Sequence, residues 1–486
     1  MMGPVTISAT SARRLCLWFL LASLLAAAGL LAPAAHAATF TRGFVDDVWF
    51  DPPADGLSQQ TWITKTEATG AKIVQIEVDW TSIEPTAPAS GVDASNPAGA
   101  QYDFTGLDSE VEELAGTGLQ PIFLVTDAPR WAMGPGGTAA DYVSGGWEPN
   151  AAAFGALGQA LATRYSGSYP NPLVPGTTFP RVRYIQAWAE ANTDFHLSPQ
   201  WTKVHGRTVN SGANIYRGML ASFYAGVKAG DPSDVVLATG LEGYGDAPFT
   251  GLQRTHPVTF LENLLCLSPT LKRIKCAGPA AHFDVLAADP YEAFSPATHA
   301  VNKFDASAPD LARLTKVAKA AVKAGTLLPH KTKPLWVTEF GYDSKPPNPS
   351  AVSTATQAKW LEEGFYVFWH EGVSAAMWYL VRDQTPPYNE NYFSGVYFRN
   401  GTPKPSLTAY SFPFVIMATT GKQAQAWGIA PVGGTVKVQL KGSHGWKTIK
   451  VLHAGAGKVF DFTSSSLAHG HYRATVSGQS SLVWKF

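Results

Sequence analysis

Two glutamates close apolar runs in this chain. Tyr184-Ile185-Gln186-Ala187-Trp188-Ala189-Glu190 is one, and Leu335-Trp336-Val337-Thr338-Glu339 is the other. A carboxylate at an apolar strand tip is costly to desolvate unless it is paired or put to use. A single such residue reads most simply as a cap or half of a salt bridge. Two that face one site push their pKa values apart, so that one keeps a proton while the other stays ionised. That split suits an acid working beside a nucleophile. Other chemistry-bearing patterns are weaker. His469-Gly470-His471 has a spacing found in metal sites, but no acidic ligand adjoins it, and it reads as strand surface. No metal and no cofactor is expected.

The elements that would hold the two glutamates alternate. Strand-like runs are Phe44–Val48, Lys72–Trp80, Gln120–Thr126, Val182–Trp188, Asp234–Leu241, Phe283–Ala287, Leu335–Glu339 and Ser374–Leu380. Helical patterns lie between them, among them Ala151–Tyr165, Ile215–Ala229, Pro309–Ala324 and Thr354–His370, and one at Leu107, Val111 and Leu114 with Thr105 and Asp108 as a capping pair. Strict alternation implies a parallel sheet covered by helices. Eight units predict an α/β fold of the (β/α)₈ barrel type. The competitor, a doubly wound open sheet, would normally carry a glycine-rich phosphate loop after its first strand, and none is present. In a barrel the chemistry sits at the C-terminal strand ends, where Glu190 and Glu339 fall on the fourth and seventh strands.

Past Pro413 the texture changes. Alternating runs such as Thr435-Val436-Lys437-Val438-Gln439-Leu440, separated by Gly, Ser and His, predict a small antiparallel β-sandwich. At the other end, Arg13 and Arg14 precede an apolar run to Leu31, and Ala35-His36-Ala37 fits a cleavage site. The expected layout is a signal peptide over 1–37, a barrel over 38–416 and a β-sandwich over 417–486, in a secreted, extracellular protein in which no later segment is long and apolar enough to span a bilayer. Cys266 and Cys276 would then meet oxidising conditions and pair as a disulfide. The 37 basic residues balance 37 acidic ones, which argues against nucleic acid or an anionic membrane as the main partner. A monomer is expected.

Several segments resemble the large clan A superfamily of retaining glycoside hydrolases. Trp188-Ala189-Glu190-Ala191-Asn192 stands where that group carries Trp-Asn-Glu-Pro-Asn, and Trp336-Val337-Thr338-Glu339-Phe340-Gly341 is similar to its nucleophile strand. Val78-Asp79-Trp80 with Ile83-Glu84-Pro85, Ala128-Pro129-Arg130-Trp131-Ala132, Asp289-Pro290-Tyr291, and Gly372-Val373 through Trp378 to Arg382-Asp383-Gln384 follow in the family's order. The resemblance implies hydrolysis of oligo- or polysaccharide with retention, Glu190 as acid/base and Glu339 as nucleophile. It also implies Tyr291 beside Glu339 and Trp378 under the sugar. Asp79, Trp131, Asn192 and Asp383 complete the expected sugar contacts, with a turn cap as the alternative for Asp383 and packing for Trp131.

The chain departs from the family at four places. Ala189 and Ala191 replace the asparagine and proline that flank the acid/base, Gln75 replaces an arginine, and Asp289 replaces a histidine. In the family that asparagine meets the sugar 2-hydroxyl. The competing function is a catalytically weak or inactive barrel that binds polysaccharide. A metal hydrolase is disfavoured, because the first strand has no His-x-His.

Overall fold

The computed structural model describes residues 40–45, 58–384 and 392–486; the expected signal peptide lies outside them. Eight parallel strands form the central sheet: β1 (Thr41–Val45), β2 (Ile73–Asp79), β3 (Gln120–Thr126), β4 (Tyr184–Ala187), β5 (Val235–Leu237), β6 (Leu286–Ala288), β7 (Leu335–Phe340) and β8 (Val373–Tyr379). Seven neighbouring pairs are hydrogen-bonded ladders, and β1 pairs with β8. The eighth join, between β5 and β6, rests on the isolated parallel bridges Leu237 to Val285 and Glu242 to Asp289. Asp289 N donates to Leu241 O at 2.9 Å there, and Ala238 N to Val285 O at 3.0 Å. The sheet is thus a closed barrel, as the alternating sequence predicts.

A helix follows every strand: α1 (Gln59–Ala68), α2 (Thr105–Glu113), α3 (Ala151–Arg164), α4 (Ser211–Gly230), α5 (Pro257–Leu264), α6 (Ala312–Ala324), α7 (Thr354–His370) and α8 (Pro405–Ser411). Side-chain caps satisfy first-turn amides at several starts. Asn150 accepts from Ala152 N and Ala153 N, Asn210 from Ala213 N, and Ser353 from Thr356 N. The expected Thr105–Asp108 cap of α2 is not made. The Asp103 carboxylate takes the Thr105 amide, and Asp108 turns inward to a buried bidentate pair with Arg164. Helices α3 and α4 approach closely because Gly155 and Gly226 face each other; a Cβ on Gly226 would lie 1.9 Å from the Gly155 carbonyl.

Strand periodicity sorts the apolar residues into two layers. Val45, Ile73, Ile122, Leu237, Val285, Trp336, Ala375 and Met377 fill the barrel interior. Their chain neighbours Phe44, Phe123, Val337 and Trp378 point outward into the larger core under the helices. Fully burying one such large apolar side chain contributes about 1.5–3 kcal/mol.

The C-terminal strands are antiparallel. Strands β9 (Phe414–Ala418), β10 (Ala424–Ile429) and β13 (Val459–Ser464) make one sheet. Strands β11 (Gly434–Gly442), β12 (Gly445–Ala454) and β14 (His471–Val476), with two short edge strands, make the other. The two sheets form the expected sandwich, and its first strand follows α8 directly. Trp427 packs against Phe40, Tyr366 and Trp369, and Tyr366 donates to Gln425 at 3.1 Å, so sandwich and barrel share a core. No helix among the described residues is long and apolar enough to cross a membrane. Cys266 and Cys276 are bonded, with Cα atoms 5.8 Å apart.

Candidate active site

The backbone turns sharply to present Glu190. After β4 ends at Ala187, Trp188 has φ 81° and Glu190 φ 28°. Such values in non-glycine residues cost on the order of 1 kcal/mol or more and persist only where neighbours enforce them. Here the Trp188 indole donates to the His196 carbonyl at 2.8 Å. Tyr216 OH donates to the Ala187 carbonyl at 2.5 Å, and Ala191 N donates to Thr239 Oγ1 at 2.9 Å.

Glu339 reaches the same cleft through an irregularity in β7. Strict alternation would put it on the outward face beside Val337. The pairing of β7 with β8 shifts between Val337, opposite Ala376, and Phe340, opposite Trp378, so one extra residue is accommodated. A bulge of this kind re-aims a side chain. Thr338 and Glu339 consequently both face inward. Thr338 Oγ1 donates to Asp289 at 2.6 Å, and the Tyr291 hydroxyl donates to Glu339 Oε2 at 3.0 Å.

Two adjoining clefts meet at Glu190. The larger, of 870 Å³, is lined by Glu190, Glu339, Tyr291, Tyr379, Ala189, Glu77 and Glu292, with Tyr342, Trp360 and Tyr392 among its aromatics. The smaller, of 530 Å³, is lined by Glu190, Glu242, Arg254, Asp194 and Asp141. Phe195, 72% exposed, touches both. The acid therefore stands between two spaces, only one of which holds Glu339.

Burial raises the Glu190 carboxyl well above the usual carboxylate range, and the charges on Glu242, Asp289 and Glu339 raise it further. Glu190 and Glu242 line the same cleft. Burial likewise lifts Glu242 to about 7, against the opposing pull of Arg254, whose guanidinium lies 3.5 Å from it. Asp289 is raised to about 7 by burial, partly offset by hydrogen bonds from Thr338 and the Glu339 backbone. His196 Nε2 lies 3.6 Å from Glu190 Oε2, but burial lowers this imidazole to about 4, so the contact is not an ion pair near neutral pH. Burial and the neighbouring carboxylate charges each favour the protonated form of Glu190.

Of the expected contact residues, Tyr291 reaches the cleft as anticipated. The others are engaged elsewhere. Trp378 is fully buried on the outward face of β8, its indole donating to the Ser394 carbonyl; its neighbour Tyr379 takes the cleft position. Asn192 is buried, bonding the Glu242 and Thr255 carbonyls and the Glu242 amide, so it braces the loop that carries Glu242. Asp79 caps the short helix Trp80–Ile83 through the Thr81 amide at 2.8 Å. Trp131 packs edge-on to Trp80 and donates to the Glu84 carbonyl. Asp383 forms a buried pair with Lys404 at 2.6 Å. Gln75 lies in the barrel interior facing Gln186, while Ala189 lines the cleft without a polar group. Among the described residues no cluster of His, Cys, Asp or Glu is arranged to hold a metal.

Sequence reasoning missed Glu242, His196, Tyr379 and Phe195. Glu242 lies beyond the tip of β5, and the same strand-end question that found Glu190 could have found it.

No family model matches the chain, and no curated protein matches it in sequence. Among solved structures it is similar to a family 39 glycoside hydrolase from Bacteroides cellulosilyticus WH2, at 15% identity over 86% of this chain and 80% of that one, with TM-score 0.49. It is also similar to a glucosidase from Croceicoccus marinus, at 12% identity over 89% and 94%, with TM-score 0.48. A family 30 subfamily 8 xylanase from Clostridium acetobutylicum is similar at 12% identity over 89% and 95%, with TM-score 0.45. The fold rests on the strand pairing described above, and the site on its own residues.

Proposed function

We propose that the chain is a secreted retaining O-glycosyl hydrolase. The observation that carries this reading is the pair Glu190 and Glu339 on one cleft, one carboxyl pushed toward its protonated form by burial and the other held by the Tyr291 hydroxyl. In the first step Glu339 attacks the anomeric carbon while Glu190 gives its proton to the departing oxygen, leaving a glycosyl ester. In the second, Glu190 takes a proton from water, which attacks the same carbon and releases Glu339.

The larger cleft takes the sugar that becomes esterified, with Tyr379 and Tyr291 as its walls. The smaller takes the leaving group, with Phe195 as a platform. Glu77, Glu339, Asp343, Asp141 and Asp194 line the two spaces beside the raised carboxyls of Glu190, Glu242 and Glu292, against Arg254 as the cation. That field favours an uncharged glycan over a uronate or sulfated one. Residues 1–37 direct export, the catalytic barrel follows from 38, and the appended sandwich begins with β9 at Phe414, just ahead of the expected 417, the whole acting as a monomer. The bonded cysteines agree with an oxidising compartment.

A 2-deoxy-2-fluoro glycoside with a good leaving group tests this reading, after a screen of aryl glycosides identifies the sugar. The expected result is a stable adduct that peptide mapping places on Glu339. Label on another residue, or neither label nor turnover on any glycan, overturns it.

A further inference from the structure

The balanced charge of the whole chain hides an opposition. Residues 417–486 carry eight Lys and Arg against one acidic residue, Asp461, whereas the other 416 positions carry 29 Lys and Arg against 36 Asp and Glu. Part of the positive charge is ordered on one sheet face. In β11, Val436 and Val438 point into the sandwich, so Lys437, Gln439 and Lys441 point out. Pairing places Trp446 opposite Lys441, Val451 opposite Lys437 and Arg473 opposite Gln439, all on that outer face. The Arg473 guanidinium lies over the Trp446 ring, 4.4 Å from its centroid, and donates to Gln439 at 2.8 Å. Asp461 lies on the other sheet, bonded to Gln425.

We propose that this outer face docks an acidic, carboxylate-bearing polysaccharide. Charge complementarity selects a polyanion. The indole, fixed by Arg473, offers an apolar face to a sugar ring between flanking cations. Val451 adds too little apolar surface for insertion into a bilayer. The sandwich thus holds the protein on an acidic matrix while the acidic cleft faces a different, uncharged glycan.

The test is affinity electrophoresis of the full chain through gels containing polygalacturonate, with neutral glucan as the comparison. Retardation is expected in polygalacturonate alone and is expected to fade as salt rises. The double variant K437Q/K441Q should weaken it at least about tenfold. K447Q/K450Q makes the same change in net charge on residues paired with the inward-facing Leu440 and Val438, and should weaken it far less. Hydrolysis of a small soluble glycoside should be unchanged in both. The proposal is overturned by absence of retardation, by equal loss in the two variants, or by tighter binding to phosphatidylserine vesicles or duplex DNA than to polygalacturonate.

Discussion

Glu190 and Glu242 line the smaller cleft together, and the charge of Glu242 raises the Glu190 carboxyl. Two half-buried acids facing one space cannot both ionise cheaply, so charge on one favours the proton on the other. Arg254 stands on the Glu242 side of the pair and favours charge there.

That arrangement fixes the basic limb of activity. Glu190 must be protonated to act as the acid, and the negative charge of Glu242 helps keep it so. Glu242→Gln removes the charge but keeps an acceptor, so the basic limb of kcat/KM should move to lower pH. A profile that does not move would show that burial alone sets the proton.

Tyr291→Phe deletes the hydroxyl that holds Glu339 Oε2. A hydrogen bond to a charged group contributes about 1.5–3 kcal/mol, which corresponds to a loss of roughly 10–100-fold in kcat/KM if it is kept in the transition state. Steady-state kinetics on an aryl glycoside would measure it, and the adduct should still form on Glu339, more slowly.

Gly240 leaves room for the Asp289 carboxylate: a Cβ there would lie 1.8 Å from Asp289 Oδ2. Gly240→Ala should therefore displace Asp289 and cost about 1–3 kcal/mol of stability. Thermal melting and activity should fall together, because the Thr338 contact to Asp289 adjoins Glu339.

Stability should decline with rising pH. Burial raises Glu292 to about 8 from an ordinary 4.5, so the folded state prefers it protonated. Its contribution is complete below about 4.5 and is lost as pH climbs through about 8. Melting temperature against pH should fall across that window, and Glu292→Gln, which keeps the acceptor for the Ala308 amide, should flatten the slope.

Replacing Cys266 and Cys276 by serine opens a loop of ten-residue separation. The expected cost is about 3 kcal/mol in the chain-entropy account. Neither cysteine lines the clefts, so turnover of a soluble glycoside should be retained.

Much of the frame was legible because burial writes itself into the strand periods. The eight alternating units gave the barrel, and Glu190, Glu339 and Tyr291 fell at strand ends where a barrel gathers its chemistry. The Trp378 error has a plain cause: a residue's position along a strand does not say which face it takes. Trp378 and Tyr379 are adjacent, and only the interior register, with Met377 inside, decides that the tyrosine meets the cleft. Asn192, Asp79 and Asp383 were misjudged because polar side chains near a site also have local work, in bracing a backbone, capping a helix and neutralising a lysine. Glu242 directly follows the strand-like run Asp234–Leu241, so the strand-end question, asked of that run, reaches it.

The extra residue in β7 has one more consequence. In a regular strand two consecutive side chains never share a side, so a supporting contact and the group it supports must sit at least two positions apart. The shifted register gives Thr338 and Glu339 the same side. The anchor to Asp289 and the attacking carboxylate are then separated by a single peptide unit, and the lever between them is too short to flex.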